Sequence, residues 1–233
     1  MSISLTGLQK VLQYGTLFRQ GLIVTVLLSL VTVFFGFILA FILAMMHLST
    51  HRLLRIISGI YVQFVRCTPM LVQVFLVYYI VFGFITLPKF AFFGFIQFER
   101  FFPAAVALAL NSGGYMSDVI RGGIEGVDQG QTEAARSLGM SKGQTMYHIV
   151  LPQAIKNILP AVANEFVTII KESSICYTIG VQDIMFNVKS VQSASFIIAE
   201  PLIIATFLYF CLCFPTSKII GYFERRMRAS DKR

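Results

Sequence analysis

From Gly21 to Met46, 26 consecutive residues contain no Asp, Glu, Lys or Arg. As a helix that run is roughly 39 Å long, enough to cross a bilayer with some tilt. A soluble chain of 233 residues needs polar side chains to cover its surface. Only 13% of this one is charged, against roughly 25% in ordinary globular domains, and 56% is apolar. A soluble enzyme, a disordered tail and a disulfide scaffold are therefore excluded, and the expected fold class is an all-α membrane protein that crosses the bilayer several times.

Four further crossings follow by the same criterion. They run over about Ile56–Ile85, with Arg66 and Pro69 inside, over Phe101–Val119, over Ile158–Ile179, with Glu165, Lys171 and Glu172 inside, and over Pro201–Ile220. The sequence predicts one domain over residues 1–233 with about five transmembrane helices. Leu5, Leu8 and Leu12 recur at helical spacing, which suggests an interfacial segment over 1–19. Residues 86–100 and 180–199 read as connectors. Residues 121–156 form the longest polar segment, and 221–233 form a basic tail. With the N-terminus outside, the cytoplasmic segments hold twelve Lys and Arg and the outer segments hold five. The positive-inside rule therefore gives an N-out, C-in arrangement with 121–156 in the cytoplasm. The net charge of +8 is thus read against the membrane, and no nucleic-acid partner is expected. The four cysteines have no metal-ligand spacing and read as small apolar residues.

No P-loop and no HExxH motif is present. His47 and His51 lie four apart, but a third metal ligand is missing, and no catalytic or metal-binding constellation emerges. The informative segment is QTEAARSLGMSKGQTMYHIVLP, residues 131–152. Glu133, Ala134 and Ala135 are followed by Gly139 and then, after nine residues, by Ile149, Leu151 and Pro152. This spacing resembles the EAA loop, EAA-x3-G-x9-I-x-LP, of permease subunits in ATP-binding-cassette importers. Small residues suit close helix packing, Gly139 suits a left-handed turn between short helices, and Pro152 suits the first turn of the next helix. Glu133 is expected to start the short cytoplasmic helix, where a carboxylate favours the dipole.

Arg66-Cys67-Thr68-Pro69-Met70-Leu71-Val72-Gln73 is similar to the R-G-T-P-L-L-V-Q run of polar-amino-acid permeases, with Cys67 in place of Gly and Met70 in place of Leu. The segment from Asn111 through Gly114 and Asp118 to Ile124 resembles a second signature of that family, and Lys171-Glu172-Ser173-Ser174 a third. The resemblance covers about Gly21 to Arg225. It implies a type I importer permease in a bacterial inner or plasma membrane, multi-pass, moving polar amino acids of the histidine, glutamine or arginine type. It also implies partners: two copies of a P-loop ATPase, a second permease subunit that is identical or homologous, an extracytoplasmic amino-acid-binding protein and the bilayer. Cofactors in this chain are none, with ATP and Mg on the ATPase. Charges inside crossings mark functional positions. Glu165, Lys171, Glu172, Arg66, Asn111 and Gly114 are therefore the candidate substrate path, with the alternatives of a Lys171–Glu172 structural pair and of an Arg66 that snorkels to the surface. An ion-coupled secondary amino-acid transporter is the competing function, and the lack of an inverted repeat weighs against it.

Overall fold

The computed structural model describes residues 5–230, and they are overwhelmingly helical. Residues 1–4 of the N-terminal segment and 231–233 of the basic tail lie outside the described residues. Helix α1, Leu5–Leu12, buries Val11 against the elements that follow, and a turn at Gln13 and Tyr14 leads into α2, Gly15–Leu48. The interfacial segment is therefore shorter than the sequence suggests, because residues 15–19 already belong to the first span.

Helix α2 is apolar all round, so hydrophobicity alone does not choose its inner face. Size does. Gly21, Thr25, Ser29, Thr32, Gly36, Ala40 and Ala44 form a buried stripe, while Phe34, Ile38, Phe41 and Ile42 stay exposed. In lipid, helices gain little from burying apolar surface against each other, and close approach along small residues takes over. The stripe receives α5, Phe98–Glu125, running in the same direction: Val24 and Leu28 cluster with Ala104 and Leu108, and Ala40 and Ala44 with Met116 and Ile120.

The second span is not the continuous helix expected over Ile56–Ile85. Helix α3, Arg52–Cys67, stops before Pro69, and α4, Met70–Phe75, continues into a wide π turn, Leu76–Val81, after a 110° bend. Proline disfavours helical backbone in the residue before it, and Thr68 is extended at φ −115°, ψ 141°. The first connector then folds as a hairpin, with β1, Ala91–Phe92, paired antiparallel to β2, Ile96–Gln97.

After α5 come α6, Gln129–Ser137, and α7, Lys142–Thr145, which passes through a π turn, Met146–Val150, into α8, Leu151–Glu172. The fourth span closes with a 3-10 segment, Ser173–Ile179, that turns at Gly180 with φ +83° beside the Arg100 guanidinium. The connector expected over 180–199 contains a helix, α9, Ile184–Ser195, whose Ile184, Val188 and Val191 pack with Phe18 and Ala205. Helix α10, Ala199–Ser230, closes the bundle.

By length and apolar character α2 and α10 each qualify as spans, and α3 with α4 qualify together. Helices α5 and α8 fall short because α5 buries Asn, Ser and Gly within the protein and α8 carries Glu165, Lys171 and Glu172. The hairpin and α9 lie at one end of the α2–α5 pair. Helices α6 and α7 lie at the other, where Glu224 and Met227 of α10 also meet Lys156 and Asn157. That distribution agrees with the charge count that places the loop and the tail together on the cytoplasmic side.

Candidate coupling loop and translocation site

Helix α6 begins at an Asp128 N-cap whose carboxylate accepts a hydrogen bond from the Gly130 N–H at 2.6 Å. Glu133 therefore sits in the middle of this helix and not at its start, and Asp128 supplies the carboxylate at the N-terminus. Glu133 and Ala134 face solvent, whereas Ala135 is buried against the bundle. The helix ends in a Schellman arrangement: Met140 N–H donates to the Ala135 carbonyl at 3.1 Å and Gly139 N–H to the Arg136 carbonyl at 3.0 Å. Gly139 has φ +88°, with open space around an added Cβ, so it is the backbone conformation that demands glycine. Arg136 braces the turn by donating to the Met140 carbonyl at 2.6 Å.

One residue later a capping box starts the next helix, with Ser141 and Gln144 bonded to each other's backbone. Pro152 lies where the π turn becomes α8, and the wide turn accommodates its missing N–H. Val150 and Ala154 pack with Ile124 and Val127, which fixes the loop to the inner ends of α5 and α8, with Ile149 and Leu151 partly buried around that contact and Pro152 exposed. Between α5, α6 and α7 lies an open cavity of about 670 Å³, lined in part by Glu125, Thr132, Arg136 and Lys142.

On α8, Glu165 accepts a hydrogen bond from the Ser112 hydroxyl of α5 at 2.8 Å. Glu172 is seven residues on and lies on roughly the same face. Lys171 is exposed, and it forms no salt bridge with Glu172. Ion pairs lie elsewhere, among them Arg66–Asp118 at 2.7 Å, Asp118–Arg121 at 3.4 Å and Arg121–Glu125 at 2.7 Å. Asn157, Asn164 and Lys171 give α8 an exposed polar stripe.

Arg66, Asn111 and Gly114 gather in the break of the second span. Gln73, 7% exposed, donates to the Val65 carbonyl at 2.9 Å, the Thr68 carbonyl at 3.2 Å and the Thr68 hydroxyl at 2.6 Å. Its oxygen accepts from the Asn111 amide at 3.0 Å. One side chain thus satisfies carbonyls freed at the end of α3 and ties them to α5. Gly114 lets Val65 approach, since a Cβ there would sit 2.8 Å from Cγ1. Arg66 pairs with Asp118 at 2.7 Å while its side chain stays 53% exposed.

A family model described as the inner membrane component of binding-protein-dependent transport systems matches residues 33–229. The chain belongs to this family. The permease is 39% identical over 212 residues to the arginine transport system permease protein ArtQ of Bacillus subtilis, covering 91% of this chain and 93% of that one. It is 36% identical over 211 residues to the putative glutamine transport system permease protein GlnP of Rickettsia conorii, covering 89% and 91%. Among solved structures, an amino acid ABC transporter crystallised with histidines superimposes with a TM-score of 0.86 at 37% identity, over 97% of this chain and 100% of that one. The MetNI methionine transporter superimposes at 0.68 with 16% identity, over 88% and 95%, and shares the fold. The permease is a type I importer subunit of the inner membrane and not an enzyme, ATP hydrolysis belonging to a separate ATPase chain. This family membership favours ATP drive over the ion-coupled alternative.

Two structural features of the permease escaped the sequence. Leu138, 84% exposed, and Tyr147, also exposed, stand on the polar segment between α5 and α8; the EAA pattern does not fix either position. Asp183, in the outer connector, caps α9 through the Phe186 N–H at 2.8 Å and is fully buried. Burial pushes its carboxyl up to about 7, against the opposing pull of backbone N–H groups.

Proposed function

We propose that the permease forms half of the translocation path for polar amino acids and passes the motion of two ATPase copies into that path. The observation that carries this reading is Glu165, a carboxylate inside the bundle whose hydrogen-bond partner is the neutral Ser112 hydroxyl and which has no ion pair. A carboxylate among spanning helices is costly unless hydrated or paired. The polar stripe of α8 meets the same objection if it faces lipid. Both are relieved when a second permease, identical or homologous, stands opposite α8 and encloses a water-filled route. Glu165 and Glu172 then offer acceptors for an ammonium or a cationic side chain, and Lys171 offers a cation for the α-carboxylate. Arg66, Asn111 and Gly114 contribute by holding the broken span against α5. An amino-acid-binding protein delivers cargo from outside. Glu133, Ala134 and Leu138 dock in a groove of the ATPase, and the Gly139 turn with the Ile149–Pro152 connection carries the displacement to α5 and α8.

The test is Glu165→Gln in the reconstituted assembly. Loss of a charge-assisted contact to cargo is worth about 1.5–3 kcal/mol, so the half-saturating amino-acid concentration should rise roughly ten- to a hundredfold while the complex stays assembled. Unchanged uptake kinetics would remove Glu165 from the path.

A further inference from the structure

Two residues other than glycine hold a left-handed backbone among the described residues, and both are phenylalanines: Phe93 at φ 51° and Phe196 at φ 57°. Bulky side chains resist that conformation, and strained positions of this kind persist where function holds them. Both rings are displayed outward, Phe93 77% and Phe196 88% exposed. Both stand in the outer connectors, at the end of the bundle opposite the coupling loop.

Neither corner is loose. Phe93 and Gly94, at φ 75°, form the tip of the β1–β2 hairpin, closed by the Phe95 N–H on the Phe92 carbonyl at 3.2 Å. The hairpin is fastened to α5 by rings: Phe90 stacks on Phe98 at 4.7 Å and 15°, and Phe98 on Phe102 at 5.3 Å and 19°. Phe92 meets the same stack edge-on, while Phe93 stays outside it. Phe196 ends α9, and its corner is braced on both sides. Gln192 donates to the Ile198 carbonyl at 2.7 Å, and the Ile197 N–H donates to the Ser195 hydroxyl at 3.2 Å. Asparagine or glycine would satisfy either backbone better. The sequence spends a large apolar ring at each place instead.

We propose that Phe93 and Phe196 are aromatic anchors for the solute-binding protein on the outer face of the permease. Rigid, preordered aromatic side chains are what an interface uses to concentrate its binding energy. The partner follows from the family, which depends on a binding protein for delivery. The inference rests on the importer reading above. A ring dipped into the outer lipid interface is the competing occupant, and the experiment separates the two.

The assembled transporter in nanodiscs is titrated with its amino-acid-loaded solute-binding protein, and ATPase stimulation is followed. Phe93→Asn and Phe196→Asn remove the rings while favouring the left-handed backbone, so the melting temperature of the assembly should hold or rise. In the double variant the half-stimulating concentration should rise roughly tenfold, with the plateau recovered at high concentration. An unchanged titration overturns the assignment. The permease has no tryptophan, so Phe93→Trp adds its first, read as a difference against the parent assembly. Its emission should be unaffected by brominated phosphatidylcholine and should shift to the blue when binding protein is added. Quenching by the brominated lipid, with or without binding protein, overturns the assignment in favour of the membrane. A wild-type assembly that no binding protein stimulates overturns the importer reading, and this one with it.

Discussion

Gly139 concentrates the coupling argument in one backbone angle. At φ +88° a side chain with a Cβ costs roughly 1–2 kcal/mol, and a β-branched one sits at the upper end. Gly139→Val should insert into the membrane normally but lower ATPase coupling roughly five- to thirtyfold, the factor that energy represents. Gly139→Asn should fall between Val and wild type, because Asn tolerates the left-handed region. The check is ATP turnover per amino acid moved in reconstituted assemblies, and equal coupling by the Val variant would show that the turn is not required. This position was legible in the sequence because everything that shapes it lies within a few residues: the Ala-rich helix before it, the capping box after it, and the fixed spacing between them. Glu133 was read less well. Its place in the motif was clear, but the start of α6 is set by Asp128 five residues earlier, and an N-cap is decided by one side-chain bond that a motif does not contain.

At the scale of elements, the break between α3 and α4 depends on Gln73. Replacing it by Leu leaves the Val65 and Thr68 carbonyls and the Asn111 amide without their partner, and each such group costs about 1–3 kcal/mol when buried. Gln73→Leu should lower the melting temperature of the purified permease markedly. Adding Asn111→Leu should restore part of the loss, since one orphaned amide is then removed. Strictly additive destabilisation in that double-mutant cycle would contradict the bridging role. Hydropathy saw one span here, because it averages composition over a window and is blind to direction. Pro69 was the visible warning, while the 110° angle comes from tertiary bonds to α5. Helix α9 was missed for a related reason. Its apolar face is interrupted by Asn187, and it gains its stability from α2 and α10 rather than from its own pattern.

The whole molecule shows why the family was readable and the path only partly so. The EAA spacing and the positive-inside count are properties of short segments, readable without tertiary structure. The candidate path residues separate into two groups: Glu165, Lys171 and Glu172 along α8, and Arg66, Asn111 and Gly114 around the break of the second span. A sequence lists both as polar groups in apolar stretches and does not say which have partners. The exposed stripe of α8 also makes the single chain incomplete, since Asn164 and Lys171 need an aqueous or protein neighbour in the membrane.

The central claim is that this permease works in an ATP-driven importer, and uptake into proteoliposomes tests it most directly. The permease, its ATPase and its solute-binding protein are reconstituted without any ion gradient, and accumulation of a labelled polar amino acid is measured with ATP or a non-hydrolysable analogue supplied on the ATPase side. Accumulation with ATP, and none with the analogue, is the predicted result. Accumulation that follows an imposed sodium or proton gradient and ignores ATP would contradict it.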